Sequence, residues 1–342
     1  MRFQQLLWPV LMALGFAFEA AAATAEPVAS DDRQNPPAVW LARAPGTALR
    51  VLSWNVSRDS FYVNLDAFHR VLAAIDADIL ILDEMPGTSN AAELRAALGG
   101  LGDAAAEWQV AYGEGGGVFQ RSTIASRNPT TRLPIFETLR YAPEQISAWL
   151  GQAGSSGGRL RDNLQAGVAA VGAHILHDGK TLLVVAMDLQ CCGDDAGSWQ
   201  ESRRRAEAGL LRQALLSSVQ QTPVAAVIVA GDANTVQGVQ AISILRGTPS
   251  AGADPEPWRL QEVAARHQGK SSTWTWDGRG TPYPSSRLDH ILHSAALQPL
   301  QASIFDTEDL SAAQAKALRL PKEVSRRLSE HRPIVVDFRW VD

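Results

Sequence analysis

The sequence predicts a mixed α+β sandwich folded as one domain. Three observations carry that prediction. Apolar runs of strand length alternate with stretches of helical periodicity along the chain. Two such runs, 167–176 and 181–189, are joined by His177-Asp178-Gly179-Lys180. Asp-Gly is a strong hairpin signal, because both residues tolerate the left-handed backbone that a two-residue turn demands. The C-terminal third is crowded with short apolar segments. A doubly wound parallel sheet is the alternative; the hairpin and the crowded C-terminal strands argue against it.

Taken in order, residues 49–56 (LRVLSWNV) read as a strand, 65–75 as a helix and 79–82 as a buried strand. A helix over 90–98 follows, then strands near 108–112 and 123–126. Residues 134–162 break the rhythm, with a Gly/Ser run at 154–158, and read as an insertion or mobile loop. After the hairpin come a long amphipathic helix from 199 to about 219 and an apolar strand at 224–230. Strands at 272–276, 288–292, 304–306 and 333–340 complete the chain.

With hydrophobic residues at 46%, the chain has ample material for a core, which excludes a disordered chain. Lys and Arg total 31 against 36 Asp and Glu, a net charge of −5 that argues against a broad basic surface but leaves room for a local groove. Two cysteines cannot build a thiolate metal cage or a disulfide framework. At the N-terminus, Arg2 precedes the apolar run 6–18, and Ala23-Thr24-Ala25 follows, the parts of a cleaved secretory signal peptide. That run is 13 residues long, against roughly 20 needed to span a bilayer. The expectation is a signal peptide at 1–25, a proline-rich linker at 26–46, and one domain over 47–342. The mature protein is then periplasmic or secreted, a monomer, with no stable membrane anchor.

The positions of the polar residues are the informative feature. Asn55, Glu84, Asp188, Asp232 and Asn234 each close an apolar strand, whereas Asp289 and His331 stand at or just before the start of one. In antiparallel sheets the end of one strand neighbours the start of the next, so all seven converge on one rim. A single polar residue at a strand end is ordinarily a turn former; seven at equivalent ends are hard to explain that way. Carboxylate and amide oxygens suit Mg²⁺ or Mn²⁺. A lone imidazole oriented by a carboxylate suits proton transfer or stabilisation of phosphoryl charge.

Ser53-Trp54-Asn55-Val56, Asp83-Glu84-Met85, Gly231-Asp232-Ala233-Asn234-Thr235, Ser286-Arg287-Leu288-Asp289-His290-Ile291-Leu292 and Ser329-Glu330-His331-Arg332-Pro333-Ile334 follow one another in that order. In order and spacing they resemble the motifs of the endonuclease/exonuclease/phosphatase superfamily, over nearly all of 49–342. The resemblance implies a four-layered α/β sandwich with two mainly antiparallel sheets flanked by helices. It also implies hydrolysis of phosphoester bonds by a metal-activated water, most simply as a phosphodiesterase. By position, Glu84 resembles the principal metal ligand with Asn55 beside it. Asp232 resembles the residue that orients or deprotonates the water, and Asn234 its partner on the phosphate. His331 resembles the imidazole on the scissile phosphate, and Asp289 the carboxylate that fixes its tautomer.

Two positions depart from the family pattern. Glu330 stands where the family has Asp before the final His, one methylene further out on the metal side. Asp188 stands where relatives carry His or Tyr; an ionised Asp cannot donate a hydrogen bond, so a second metal or a substrate hydroxyl is its expected partner. The rival reading is a non-catalytic binding module on the same fold. The substrate stays open among nucleic acid, a phospholipid headgroup and a small ester.

Other signals carry less. Gly154–Gly158 matches G-x-S-x-G but lies in a flexible run rather than a strand-to-helix elbow. Arg203-Arg204-Arg205 reads as a solvated helix face with Glu201 and Glu207 as neighbours. Cys191-Cys192 is open between a strained vicinal disulfide and two thiols. Trp274 and Trp276 alternate with polar residues shortly before Asp289 and are candidates to line a substrate groove.

Overall fold

The computed structural model describes residues 41–341 except 59, 102–106, 118–119, 155–156, 194, 237 and 248–257. The signal-peptide reading of 1–25 and most of the linker at 26–46 lie outside the described residues, as do Ser155 and Ser156 of the G-x-S-x-G match. In chain order the strands are β1 (Leu49–Asn55), β2 (Ile79–Met85), β3 (Gln109–Tyr112), β4 (Arg121–Ser126), β5 (Thr130–Arg132), β6 (Ala169–His177), β7 (Lys180–Asp188), β8 (Ala226–Asp232), β9 (Gln261–Glu262), β10 (Arg266–His267), β11 (Asp289–His293), β12 (Leu297–Ile304) and β13 (Ile334–Trp340). The helices are α1 (Ser60–Val63), α2 (Leu65–Ile75), α3 (Ala91–Leu98), α4 (Pro143–Ala153), α5 (Gly157–Ala166), α6 (Trp199–Gln221), α7 (Gln240–Arg246), α8 (Ala312–Leu318) and α9 (Val324–Leu328).

One sheet runs β10-β12-β13-β1-β2-β4-β3 and the other β5-β6-β7-β8-β11-β9. The pairing is antiparallel except at β1–β2, β10–β12 and β7–β8, so the two sheets are mixed but mainly antiparallel. Period-2 alternation builds the layers. Val51, Ile81, Val184, Ile228, Ile291 and Val336 fill the core between the sheets. Their neighbours Leu52, Leu80 and Leu82 face outward onto Phe68, Val71 and Leu94 of α2 and α3. Leu183, Val185 and Val229 face outward the other way, onto Leu211 and Leu215 of α6 and Trp149 of α4. Helix, sheet, sheet, helix is the result. Both sheets are covered on both sides, which is why β1, β7 and β8 read as continuous apolar runs.

The expected hairpin is β6–β7, turning at Asp178 (φ 50°) and Gly179 (φ 73°), the positive pair of a two-residue turn. Asn90 caps α3 by accepting from the Ala92 and Glu93 amides, and Ser198 caps α6 by accepting from Glu201 N.

Four expectations change. The stretch 134–162 is not an open loop: Pro134–Phe136 forms a 3₁₀ turn and α4 and α5 follow, with Trp149 and Leu164 buried on the second sheet. This cover, through Tyr141, and the loop at 190–192 together bury the face of α6 that the sequence made polar. Arg203, Arg204, Glu201 and Glu207 are therefore buried ion pairs, Arg203 Nε to Glu207 Oε1 and Arg204 Nη2 to Glu201 Oε2 at 2.8 Å each, while only Arg205 of the triplet stays half-exposed. Residues 272–276 form no strand; Trp276 makes isolated bridges to Ser286 and His331. Residues 41–46, placed in the linker, pack on the domain: Leu41 is buried and Arg43 pairs with Asp78 at 2.6 Å.

Candidate active site

The polar strand ends share a parity with the inter-sheet core. Asn55 follows Val51 in step, as Asp188 follows Ala186, Asp232 follows Ala230 and Asp289 precedes Ile291, each two or four residues along the inward face. The same alternation that buries aliphatic side chains between the sheets thus ends in acids and an amide at one edge. Register aligns them. Parallel pairing sets Asn55 beside Asp83 and Asp188 beside Asp232, and antiparallel pairing sets Asp289 opposite Asp232. Parallel pairs, as well as antiparallel ones, bring these ends together.

Glu84 breaks the alternation. Register shifts between Leu82 and Met85, and Glu84 takes φ 55°. The bulge re-aims its side chain, which would otherwise continue the outward row of Leu80 and Leu82. Glu84 Oε1 accepts from Asn55 Nδ2 at 3.2 Å, and its Oε2 lies 3.3 Å from Arg58 Nε. Asn55 Nδ2 also donates to Asp232 Oδ2 at 3.0 Å, while Asn55 Oδ1 accepts from Ser57 N at 3.0 Å.

Asp232 is the hub. Its Oδ1 accepts from Asn234 N at 2.9 Å, and its Oδ2 lies 3.7 Å from His331 Nε2. His331 Nδ1 faces Asp289 Oδ2 at 2.8 Å. A carboxylate on Nδ1 fixes the ring so that Nε2 points at Asp232. Asn234, at φ 50°, turns its Nδ2 to Leu189 O at 2.8 Å and to Asp188 Oδ1 at 3.5 Å. The structure therefore joins Asn55, Glu84, Asp188, Asp232, Asn234, Asp289 and His331 in one contact chain. Glu330 stands apart from that chain: its Oε2 accepts from Trp276 Nε1 at 3.3 Å at the mouth of the site. Trp274 stacks on His267, with ring centroids 4.2 Å apart, and under the Arg332 guanidinium, so of the two tryptophans only Trp276 reaches the rim.

Electrostatics set the proton positions. Burial alone would lower the pKa of His331, but the charges of Asp289 and Asp232 and the Asp289 hydrogen bond outweigh it and push it up to about 10. Burial and the Asp289 charge raise Asp232 to about 7. Burial would raise Asp289 too, yet the His331 charge and hydrogen bond hold it below the usual carboxylate range. Asp188 is pushed well up by burial and by the charges of Asp232 and Glu84.

Sequence reasoning assigned no role to Asp83. It is buried, its Oδ2 accepts from Asp232 N at 3.2 Å, and burial together with the Asp232 and Asp289 charges lifts its pKa well above normal. The signal was present: Asp83 is two residues beyond the inward Ile81. Gly231 makes room for it, because a Cβ there would lie 1.9 Å from Met187 O and 2.6 Å from Asp83 Oδ2. Support from behind was likewise unassigned. Thr275 Oγ1 accepts from the Leu288 and Asp289 amides at 3.0 Å. Ser329 Oγ donates to Asn55 O at 2.7 Å and accepts from His331 N at 2.9 Å.

The site carries the donors for a divalent cation. Asp232, Asp289 and His331 each offer a ligand atom, all within 4.8 Å of one another. Asp83, Asp188, Asp232 and Asp289 are all buried at this edge, and among the described residues Asp188 Oδ2 has no hydrogen-bond partner. One imidazolium does not balance that many carboxylates, so a cation fits the chemistry of the donor set. Beside it opens a cleft of about 320 Å³ whose walls include Glu84, His331, Arg58 and Glu330. A larger hollow of about 500 Å³ between 266–271 and 301–303 contains no carboxylate and lies on other elements.

Near the rim, Cys191 and Cys192 are two free thiols with Sγ atoms 2.6 Å apart. Their loop is fixed from the buried ion pairs of α6: Glu207 Oε2 accepts from Gln190 N at 2.7 Å, and Arg204 Nη2 donates to Cys192 O at 3.1 Å.

Two mixed sheets flanked by helices, with an acid–imidazole cluster at one edge of the interface between them, define an α+β-sandwich phosphoesterase fold. The model of the endonuclease/exonuclease/phosphatase family matches residues 52–331, and the chain belongs to that family. Solved structures agree on the fold. The human Nocturnin catalytic domain with bound sulfate anion is 16% identical, with a TM-score of 0.52, covering 88% of this chain and 97% of its own. An endonuclease/exonuclease/phosphatase protein from Bacteroides vulgatus is 16% identical, with a TM-score of 0.52 and coverage of 86% and 99%. Truncated Caenorhabditis elegans TDP2 is 15% identical, with a TM-score of 0.52 and coverage of 86% and 98%. No curated protein matches the sequence. Among the described residues, no helix is long and apolar enough to cross a membrane.

Proposed function

We propose that the chain is an exported, divalent-metal-dependent phosphodiesterase. The observation that supports this reading best is the line Asp289–His331–Asp232, buried beside Asn55, Glu84, Asp188 and Asn234 at the end of the inter-sheet core. Glu84 and Asn55 would hold Mg²⁺ or Mn²⁺ beside the Asp232–Asp289–His331 group, in which Asp289 Oδ2 and His331 Nδ1 are already turned on one another. A bound divalent ion supplies neutralisation of phosphoryl charge and a more acidic water. Asp232 takes the proton of the attacking water on Oδ2, the oxygen that faces both Asn55 Nδ2 and His331 Nε2. Protonated His331 presents Nε2–H to a phosphoryl oxygen, with Asp289 holding the ring in place. Asn234 places its amide between Asp188 and the Leu189 carbonyl and steadies the Asp188 carboxylate, which remains for a second cation or a substrate hydroxyl. Glu330, whose Oε2 accepts from Trp276 Nε1, stands outside the residues that would hold the ion.

The test is a panel of DNA, RNA, sphingomyelin and bis-aryl phosphate, each with Mg²⁺, Mn²⁺ or chelator. The expected result is hydrolysis of at least one phosphodiester that chelator abolishes. Inertness throughout favours the non-catalytic binding module, and full activity in chelator removes the metal from the mechanism. Protein from the native host is expected to begin near Glu26 and to lie outside the cytoplasm; an intact 1–25 segment on cytoplasmic protein refutes export.

A further inference from the structure

We infer that Arg326 and Arg327 of α9 form a second anion subsite that takes a phosphate adjacent to the scissile phosphodiester, so that the preferred substrate carries a second phosphate. The inference rests on the reading of the rim as a phosphodiesterase site, and it narrows the substrate.

Both arginines line the same cleft as Glu84 and His331. Both are exposed. Neither guanidinium makes an ion pair or a hydrogen bond among the described residues, whereas Arg58, on the same cleft, is engaged with Glu84 at 3.3 Å. Most other arginines of the domain are tied to carboxylates or carbonyls: Arg50 to Asp337, Arg279 to Asp277 and Glu308, Arg332 to Asp306. Two successive arginines on the wall of this cleft, with no partner among the described residues, offer cationic charge beside a general acid–base pair, and the planar guanidinium fork matches phosphate oxygens.

Volume and lining select the ligand. The cleft measures about 320 Å³, at the lower end of the roughly 300–1,000 Å³ that ordinary ligands occupy, and so larger than one phosphate group needs. Among the described residues of its wall, Leu328 is the one aliphatic residue, and its side chain is buried in the core. Acyl chains gain little there, which turns the choice away from a phospholipid. The net charge of −5 does not oppose this, because the subsite is local and needs only two cations.

The test compares a thymidine dinucleotide with and without a terminal phosphate, at its 5′ and at its 3′ end, together with bis-p-nitrophenyl phosphate. Wild-type enzyme is expected to cleave one phosphorylated dinucleotide with kcat/KM at least tenfold above the unphosphorylated one, chiefly through KM. In R326Q/R327Q that preference is expected to vanish, with a loss on the phosphorylated dinucleotide at least ten times the loss on bis-p-nitrophenyl phosphate. R326K/R327K is expected to recover part of it, since charge remains without the fork. Equal losses on every substrate, or an undiminished preference, overturn the subsite. A dinucleoside diphosphate tests the other source of the same chemistry, two directly joined phosphates. Equilibrium binding of the phosphorylated dinucleotide separates the two levels of inference. If wild-type protein cleaves no phosphodiester, the phosphodiesterase reading fails. In that case the subsite is judged on binding, and it fails if wild type and R326Q/R327Q bind that dinucleotide equally.

Discussion

Replacing His331 with alanine is expected to lower turnover by about 10²–10⁴-fold, the range of a general acid–base group, and Asp289→Ala by a comparable factor. The double variant is expected to be little worse than the worse single. The reason is geometric. Asp289 Oδ2 meets His331 Nδ1 at 2.8 Å, and Asp289 is itself fixed through the Thr275 hydroxyl at its amide, so the two act as one unit whose effect is lost once. pH gives a second readout. His331 keeps its proton to about pH 10 because Asp289 and Asp232 outweigh its burial. Wild-type kcat/KM is therefore expected to fall as pH rises through about 10. In Asp289→Asn, which removes one of those charges, the alkaline limb is expected to move to lower pH. The same shift affects stability. His331 titrates higher folded than its ordinary 6.5, so its contribution is complete below about pH 6.5 and is lost between there and about pH 10. Fully additive losses, or an alkaline limb that stays in place in Asp289→Asn, would dissolve the dyad.

The sequence made the rim legible because the rim is built from regular strands. Asn55, Asp188, Asp232 and Asp289 each continue a period-2 apolar row, so strand parity and strand ends locate them without any tertiary information. Glu84 escapes that logic, since its position depends on a bulge and a positive φ that no run of residues announces. The Arg203–Arg205 triplet misleads for a different reason. Charge on a helix ordinarily means solvent; here Tyr141, just before α4, covers Arg203 and Glu207, and the 190–192 loop covers Arg204, so long-range packing turns that face into a buried ion-pair layer. Asp83 was legible by parity but was overshadowed by its neighbour Glu84 in the same motif. The partners of Ser329 and Thr275 were not legible, because they come from loops that meet through long-range packing.

Arg332→Met is expected to destabilise the protein by about 3–5 kcal/mol and to reduce turnover along with stability. Arg332 is fully buried, and its guanidinium donates from Nε to Asp306 Oδ2 and from Nη2 to Asp277 Oδ2, both at 2.8 Å, and from Nη1 to Ser329 O at 3.0 Å. Methionine fills much of the same volume, so the loss isolates charge and hydrogen bonding from packing. Asp277 retains Arg279, at 2.6 Å, but Asp306 is left buried with backbone support from Glu308 N and no cation. A buried carboxylate without a cation has its pKa raised, so the folded variant takes up a proton that the unfolded chain still lacks at mildly acidic pH. The deficit against wild type is therefore expected to shrink as pH falls from about 7.5 to 5, as read from urea unfolding at the two values. Activity follows because Ser329, which Arg332 holds by its carbonyl, binds the Asn55 carbonyl and the His331 amide through its hydroxyl. Loss of the clamp loosens the Asn55 side and the imidazole side together. A variant within 1 kcal/mol of wild type at both pH values, by the scale of an ordinary surface change, would mean that the two aspartates do not depend on Arg332.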